Sequence, residues 1–271
     1  MMENPILFID SGIGGIPYCS HFLGRNPGAY IVYLADRLHF PYGKWEKTEL
    51  AEIIKKLVGQ LVNAINPKIV VLACNTATIA ALAELRECFP DLPFVGTVPA
   101  VKPAALASKT GKIGVLGTEL TIKQPYIRDL ASRFGSGEVC GIAAPELVEF
   151  VESRFDSASV DEKRNIVTGY LDRFRAEGVD TLVLGCTHFL FLLDEFQHEA
   201  APDITVFDSV PGITHRIESL MEGQKEIGGG DPCQQNRILL TGPSAPDPSW
   251  VSLAQRLGFS LSLLDAINDV D

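Results

Sequence analysis

Residues 69–76 read Ile-Val-Val-Leu-Ala-Cys-Asn-Thr, and residues 181–188 read Thr-Leu-Val-Leu-Gly-Cys-Thr-His. Each begins with a short run that is apolar on both faces, as a strand buried in a parallel sheet must be. Each then passes through a cysteine and hydroxyl or amide residues into an amphipathic, helix-like stretch. A weaker echo links Ile6 to Asp10, followed by Ser11, with Ile113 to Gly117, followed by Thr118. The cysteines are 112 residues apart and the two hydroxyl residues 107 apart, so the offsets are similar. A duplicated strand–turn–helix unit predicts two related α/β halves.

The rest of the chain extends this pattern. Further strand candidates occupy residues 30–34, 94–98, 139–143, 204–207 and 238–240. Between them, Leu50, Ile53, Ile54, Leu57, Val58 and Leu61 alternate steps of three and one, which makes one continuous helix face. Ile166, Val167, Tyr170, Leu171 and Phe174 repeat that period, and Gly178 ends the helix. Strands alternating with helices predict an α/β fold with largely parallel sheets. The expected architecture is two pseudo-symmetric three-layer domains with the active site in the cleft between them. Residues 1–98 plus 208–271 form the first domain and 99–207 the second. The Pro-rich stretch 93–103 is the first linker and 204–211 the return.

Composition narrows the classes. In 271 residues, 46% are hydrophobic and 21% charged, which excludes bulk disorder and fibrous proteins. The net charge of −11 argues against a nucleic-acid partner, which needs clustered Lys and Arg. No apolar run approaches a membrane span, and the start lacks the basic and long apolar parts of a signal peptide. Six cysteines are scattered without a CxxC pair, so free thiols in a reducing cytoplasm are expected. Cys19, Cys88, Cys140 and Cys233 read as small buried apolar residues.

Cys74 and Cys186 read differently. Both stand where a strand ends and a helix begins, the side on which open parallel sheets bind ligands. Backbone N–H groups and the positive end of the helix dipole lie there, and both favour a thiolate. A zinc site would need four ligands, whereas Cys74, Cys186 and His188 supply three, so no metal is expected. A redox pair would want a resolving partner. A general acid/base pair fits better, one thiol removing a proton from carbon while the other returns one to the opposite face.

Other residues surround this pair. Asp10-Ser11-Gly12-Ile13-Gly14-Gly15 closes the first strand with a spacing that is neither a Walker loop nor a dinucleotide fingerprint. It is either a tight turn using glycine at positive φ, or a cradle in which backbone N–H groups and Ser11 hold a carboxylate. Asn75, Thr76 and Thr187 offer neutral donors beside the thiols, or cap the helices. His188 could activate Cys186 or serve as a half-buried structural residue. Pro41-Tyr42-Gly43 could be a turn and Glu149 a solvated helix residue.

Four segments in order resemble the glutamate racemases: Asp-Ser-Gly-Ile-Gly-Gly at 10–15, Pro-Tyr-Gly at 41–43, Ala-Cys-Asn-Thr-Ala at 73–77 and Gly-Cys-Thr-His at 185–188. Val-Pro-Ala-Val-Lys-Pro-Ala at 98–104 is similar to the family's linker. The resemblance implies two α/β domains with pseudo-twofold relation enclosing free glutamate, no cofactor, and D-glutamate supply for peptidoglycan. By it Cys74 acts on the D-enantiomer and Cys186 on the L-enantiomer, assisted by Asp10, His188 and Glu149. Substrate contacts fall on Asp10, Ser11, Tyr42, Gly43, Asn75, Thr76, Thr187 and His188. Family habit also implies a homodimer. Ile13 stands where valine is usual and Leu190 where proline is expected, and neither is expected to change the chemistry. No N-terminal extension of the kind that carries regulation in some relatives precedes the first motif, so activation by a cell-wall precursor is not expected.

Such a mechanism makes physical demands. A glutamate Cα–H is far less acidic than a thiol, and each pKa unit bridged is worth about 1.36 kcal/mol. Without an electron-sink cofactor, fixed donors and exclusion of water must stabilise the carbanion-like charge. That predicts domain closure around a small polar cavity. Two rivals are an aspartate or other small-acid racemase of the same superfamily, and a non-catalytic binding protein on this scaffold.

Overall fold

In the computed structural model, which describes residues 4–135, 137–222, 235–242 and 245–264, the apolar runs form strands of two separate sheets. The chain begins with β1 (Ile6–Asp10), α1 (Ile16–Arg25) and β2 (Ile31–Ala35), then passes two 3₁₀ turns into α2 (Lys47–Ile65). It continues with β3 (Ile69–Leu72), α3 (Asn75–Cys88), β4 (Phe94–Gly96) and α4 (Val101–Ala107). Next come β5 (Lys112–Gly117), α5 (Glu119–Ile122), α6 (Pro125–Arg133), β6 (Glu138–Ala143), α7 (Pro145–Ser153) and α8 (Val160–Ala176). After β7 (Thr181–Gly185) a 3₁₀ turn leads to α9 (Leu193–Ala200), β8 (Thr205–Phe207) and α10 (Val210–Glu222). The last elements are β9 (Arg237–Leu240), α11 (Pro248–Leu257) and β10 (Ser260–Leu263).

Two compact units result, one of residues 1–97 and 210–271 and the other of 98–209. The first holds a six-stranded sheet ordered β10-β9-β2-β1-β3-β4, the second a four-stranded sheet ordered β6-β5-β7-β8. All the pairings are parallel. Adding four to each strand number turns β2-β1-β3-β4 into β6-β5-β7-β8, so the second sheet repeats the topology of the first. The register repeats too. Ile9 pairs with Leu72 two residues before Cys74, and Leu116 pairs with Leu184 two residues before Cys186. The amide after β2, Asp36 N–H, donates to Asp10 O at 2.8 Å, and the amide after β6, Ala144 N–H, donates to Gly117 O at 3.1 Å. The internal likeness in the sequence is thus a duplicated sheet with its crossing point between the first and third strands of each half.

Burial explains the apolar runs. Every residue of β1, β2, β3 and β7 is buried, as expected for central strands covered on both sides. The period of α2 presents Leu50, Ile54, Leu57, Val58 and Leu61 to the core of the first unit. In the second unit Val167, Tyr170, Leu171 and Phe174 do the same on α8, whose N-terminus carries a Ser159–Glu162 capping box. Gly178 follows it at φ +73, a conformation that suits glycine.

Several expectations need correction. Residues 93–103 are not a bare linker: β4 and the start of α4 lie within them. The strand β10 escaped the sequence reading because its alternating Ser-Leu-Ser-Leu is half exposed at the sheet edge. Cys19 is buried, but Cys88 is exposed at the last position of α3, and Cys140 is only partly covered on the edge strand β6. Cys233 lies outside the described residues. Among the described residues no helix is long and apolar enough to cross a membrane.

Candidate active site

Each duplicated strand delivers a cysteine to the same local position. Cys74 is the N-cap of α3, with φ −144 and ψ 124. Cys186 is the N-cap of the 3₁₀ turn Thr187–Leu192, with φ −135 and ψ 136. Neither thiol caps its helix by a side-chain hydrogen bond. The two cysteines are nearly buried, at 8% and 6% exposure, directly beside the first N–H groups of a helix start. The capping position therefore belongs to the cysteines. Asn75, Thr76 and Thr187 sit one or two residues inside the helix starts, all buried, and do not occupy the cap position expected of them.

In the second unit a chain of polar groups ends at Cys186. His188 Nδ1 lies 3.9 Å from Cys186 Sγ, the outer reach of a sulfur hydrogen bond, and His188 Nε2 lies 2.7 Å from Glu152 Oε1. His188 is 3% exposed. A carboxylate on Nε2 orients the ring, which leaves Nδ1 aimed at the thiol. Because the imidazole stands between them, the sulfur and the carboxylate cannot ligate one common metal ion.

Glu149, the carboxylate expected to assist, is exposed on α7, and the carboxylate that meets His188 belongs to Glu152, one turn later. The apolar face of α7 comprises Leu147, Val148, Phe150 and Val151. At 100° per residue Glu149 points away from the centre of that arc by about 180°, whereas Glu152 lies only about 40° beyond Val148. Helical periodicity alone could have separated the two.

In the first unit Cys74 shares the neighbourhood of Tyr42 with two carboxylates, Asp10 and Asp36. Asp10, fully buried at the end of β1, accepts from Gly12 N–H at 2.7 Å. Tyr42 donates its hydroxyl to Asp36 at 2.9 Å. Burial first, then the negative charge and hydrogen bond of Asp36, with Cys74 and Asp10 adding smaller repulsions, hold the Tyr42 phenol well above its usual range. Tyr42 is therefore a donor at neutral pH, and it stands within electrostatic reach of Cys74 and Asp10 together. Ser11 is buried beside Asp10, while Gly43 is exposed.

Asp36 was not among the sequence candidates. It is fully buried and accepts from Tyr42, from His39 Nδ1 at 2.8 Å and from Thr241 Oγ1 at 2.7 Å. Its one sequence signal is a carboxylate directly after an apolar strand, the same signal that marks Asp10.

The glycine-rich turn is built for close approach. A Cβ on Gly15 would stand 2.7 Å from Ala73 Cβ and 3.0 Å from Tyr33 Oη. Gly15 has φ −80, so positive φ is not its reason here. Tyr33 on β2 donates to Gly12 O at 2.8 Å and accepts from Gly15 N–H at 3.1 Å, which fixes the turn to β2 while Gly15 lies close against Ala73, the residue before Cys74.

Comparison with known proteins agrees with this geometry. The sequence profile of the family described as Asp/Glu/Hydantoin racemase matches residues 31–215. The chain belongs to this family. A glutamate racemase of Sphingopyxis alaskensis is 44% identical over 225 residues, covering 82% of this chain and 84% of the relative. One from Ectopseudomonas mendocina is 39% identical over 245 residues, covering 89% and 90%. Among solved structures, Escherichia coli glutamate racemase, in complex with L-glutamate and the activator UDP-MurNAc-Ala, is similar at TM-score 0.83 and 30% identity. That match covers 97% of this chain and 98% of the other. The glutamate racemase isoform RacE1 of Bacillus anthracis matches at TM-score 0.77 and 26% identity, covering 98% of both chains. Within the Asp/Glu racemases, the similarity places this chain with the glutamate branch.

Proposed function

We propose that this glutamate racemase interconverts L- and D-glutamate by moving the Cα proton between two thiols, Cys74 and Cys186. One cysteine, as thiolate, takes the Cα proton, and the electron pair passes into the substrate carboxylate as carbanion-like charge. The other, as thiol, gives its proton to the opposite face. The product is the enantiomer, and the two sulfur groups have exchanged protonation states. No cofactor enters this scheme, so the charge must be met by fixed donors.

The observation that carries the reading is the repeated placement of a buried cysteine at an N-cap, after the third strand of two sheets with the same order. Each reactive group also has a polar assistant on its own unit: Asp10 with Tyr42 for Cys74, and His188 with Glu152 for Cys186. In this proposal Glu152 replaces Glu149. The substrate carboxylates are held by Ser11, by the Tyr42-Gly43 backbone, and by Asn75, Thr76 and Thr187, with His188 and Asp10 nearest the reacting carbon. The product serves peptidoglycan synthesis in the cytoplasm, a setting that suits the free thiols at Cys19, Cys74, Cys88, Cys140 and Cys186. A homodimer is the assembly the family's habit suggests, and light scattering on the purified protein measures it.

The test is racemisation followed by circular dichroism in Cys74→Ser and Cys186→Ser. Each loses at least about a thousandfold in kcat, because a hydroxyl is far less acidic than a thiol and cannot supply the missing base. Near-normal turnover in both directions by either variant would remove that cysteine from the mechanism.

A further inference from the structure

The segment around Tyr42 is tied down by more than the reaction scheme needs, and the tie has an owner outside it. Asp36 at the end of β2 is anchored from one side by Thr241, which follows β9. Thr241 donates its hydroxyl to Asp36 Oδ1 and accepts Leu38 N–H at 3.0 Å, while its own N–H donates to Ala35 O at 3.1 Å. From the other side, His39 Nδ1 spans both carboxylate oxygens, at 3.0 Å and 2.8 Å. An ionised carboxylate only accepts, so Nδ1 carries the proton. Tyr42 completes the set at Oδ2.

A second tie closes the segment from the outside. Trp45 Nε1–H donates to the His39 carbonyl at 2.9 Å, and the two rings meet edge to face at 5.5 Å. His39 and Trp45 thus bracket Pro41, Tyr42 and Gly43 in a closed strap whose inner end is the buried Asp36. Tyr42 itself packs into the core of the first unit, but the rings that bracket it add little to that core: Trp45 is 37% exposed and Phe40 36%, and the His39 side chain is also partly exposed. Two aromatic rings held by directed hydrogen bonds at the surface do not supply much apolar burial. They do close a bracket around the Tyr42-Gly43 backbone, anchored at Asp36 through His39 and at the His39 carbonyl through Trp45.

We propose that His39 is a positioning residue for substrate binding: through Asp36 and Trp45 it holds the Tyr42-Gly43 segment in the geometry that receives the glutamate carboxylate. This rests on the assignment of that segment to the substrate. It predicts that His39 acts on binding of both enantiomers alike and leaves the proton transfers alone.

The experiment uses Trp250→Phe as background. Trp250 is buried in α11, far in sequence from the strap, and it is the only other tryptophan, so Trp45 becomes the sole emitter. In that background His39→Ala and His39→Asn are compared. Asparagine sets an amide N–H near the place of Nδ1, so it restores the bond to Asp36 without the ring. Acrylamide quenching of Trp45 without substrate reads the strap by itself, and KM and kcat in both directions read its use. His39→Ala roughly doubles the quenching constant and raises KM for both enantiomers on the order of tenfold, about 1.4 kcal/mol. It leaves kcat within about twofold, and His39→Asn recovers most of both losses. Unchanged quenching overturns the strap. Raised quenching with unchanged KM overturns the link to substrate and counts against the assignment of Tyr42-Gly43. A fall in kcat at constant KM overturns the positioning role. The two-thiol reading stands or falls separately, on Cys74→Ser and Cys186→Ser in the otherwise unchanged chain, whose loss of turnover does not depend on His39.

Discussion

The two halves share a strand order, a register and a capping cysteine, yet they surround that cysteine differently. Cys186 faces an imidazole backed by Glu152, a pair that can hold or release a proton next to the sulfur. In the first unit Cys74, Asp10 and Asp36 all lie within electrostatic reach of one phenol, Tyr42, which stays protonated. Backbone topology was copied between the halves, and side-chain chemistry was not. For enantiomers this difference is informative, because the equilibrium constant between them is one. Any substitution must then change kcat/KM equally in both directions, and only kcat, KM and isotope effects can differ between them.

The comparison breaks most sharply at its polar assistants. His188→Asn removes the imidazole and lowers kcat/KM about a hundredfold, the low end of what one acid–base group contributes. With Cα-deuterated substrates the primary isotope effect rises more in the direction in which Cys186 removes the proton. Asp10→Asn should show the opposite directional preference. Equal isotope effects in both variants would dissolve the pairing of assistants with thiols.

A smaller effect separates two glutamates one turn apart. Glu152→Gln leaves a neutral acceptor for His188 and lowers kcat about tenfold, whereas Glu149→Gln stays within about twofold. Steady-state rates of the two purified variants decide it. Equal losses would return Glu149 to the mechanism.

Stability measurements sharpen the comparison between the two units. Gly15→Ala forces a methyl group onto Ala73 and lowers stability by about 1–3 kcal/mol, as overpacking does, measured by urea unfolding. In the second unit, burial works to raise the Asp180 pKa. Hydrogen bonds from Ser108 Oγ and the Lys109 and Thr110 amides outweigh it and hold the carboxyl below its usual value. A depressed carboxyl stabilises the fold above its unfolded pKa of ~3.9 and loses that contribution as pH falls through the folded value. Asp180→Asn therefore flattens the acid limb of the melting profile below about pH 4, where the ordinary carboxyl begins to protonate. An unchanged limb would mean that the bonds contribute nothing to stability.

How much of this was legible in the sequence depended on how far each signal reached. Cys74 and Cys186 were legible because strand, cysteine and helix start are contiguous in the chain, and their repetition doubled the signal. His188 was legible for the same reason, two residues from its thiol. The period of α7 separates the exposed Glu149 from Glu152 at the edge of its apolar face, but that Glu152 meets His188 is a tertiary fact no local pattern reports. Asp36 and Thr241 meet across 205 positions. No local pattern reports such a meeting, although the carboxylate after β2 hinted that something must satisfy it. The edge strand β10 was missed because half exposure removes the continuous apolar run that marked the other strands.

The central claim is that each face of Cα meets its own base. Running L-glutamate in deuterium oxide and stopping at a few per cent conversion tests it, with mass spectrometry on the separated enantiomers. Two thiols that do not exchange roles on a bound substrate put solvent deuterium into the D-glutamate formed and leave the recovered L-glutamate protiated. Deuterium entering recovered L-glutamate as fast as it enters the product would mean a single base serving both faces, and would contradict the account.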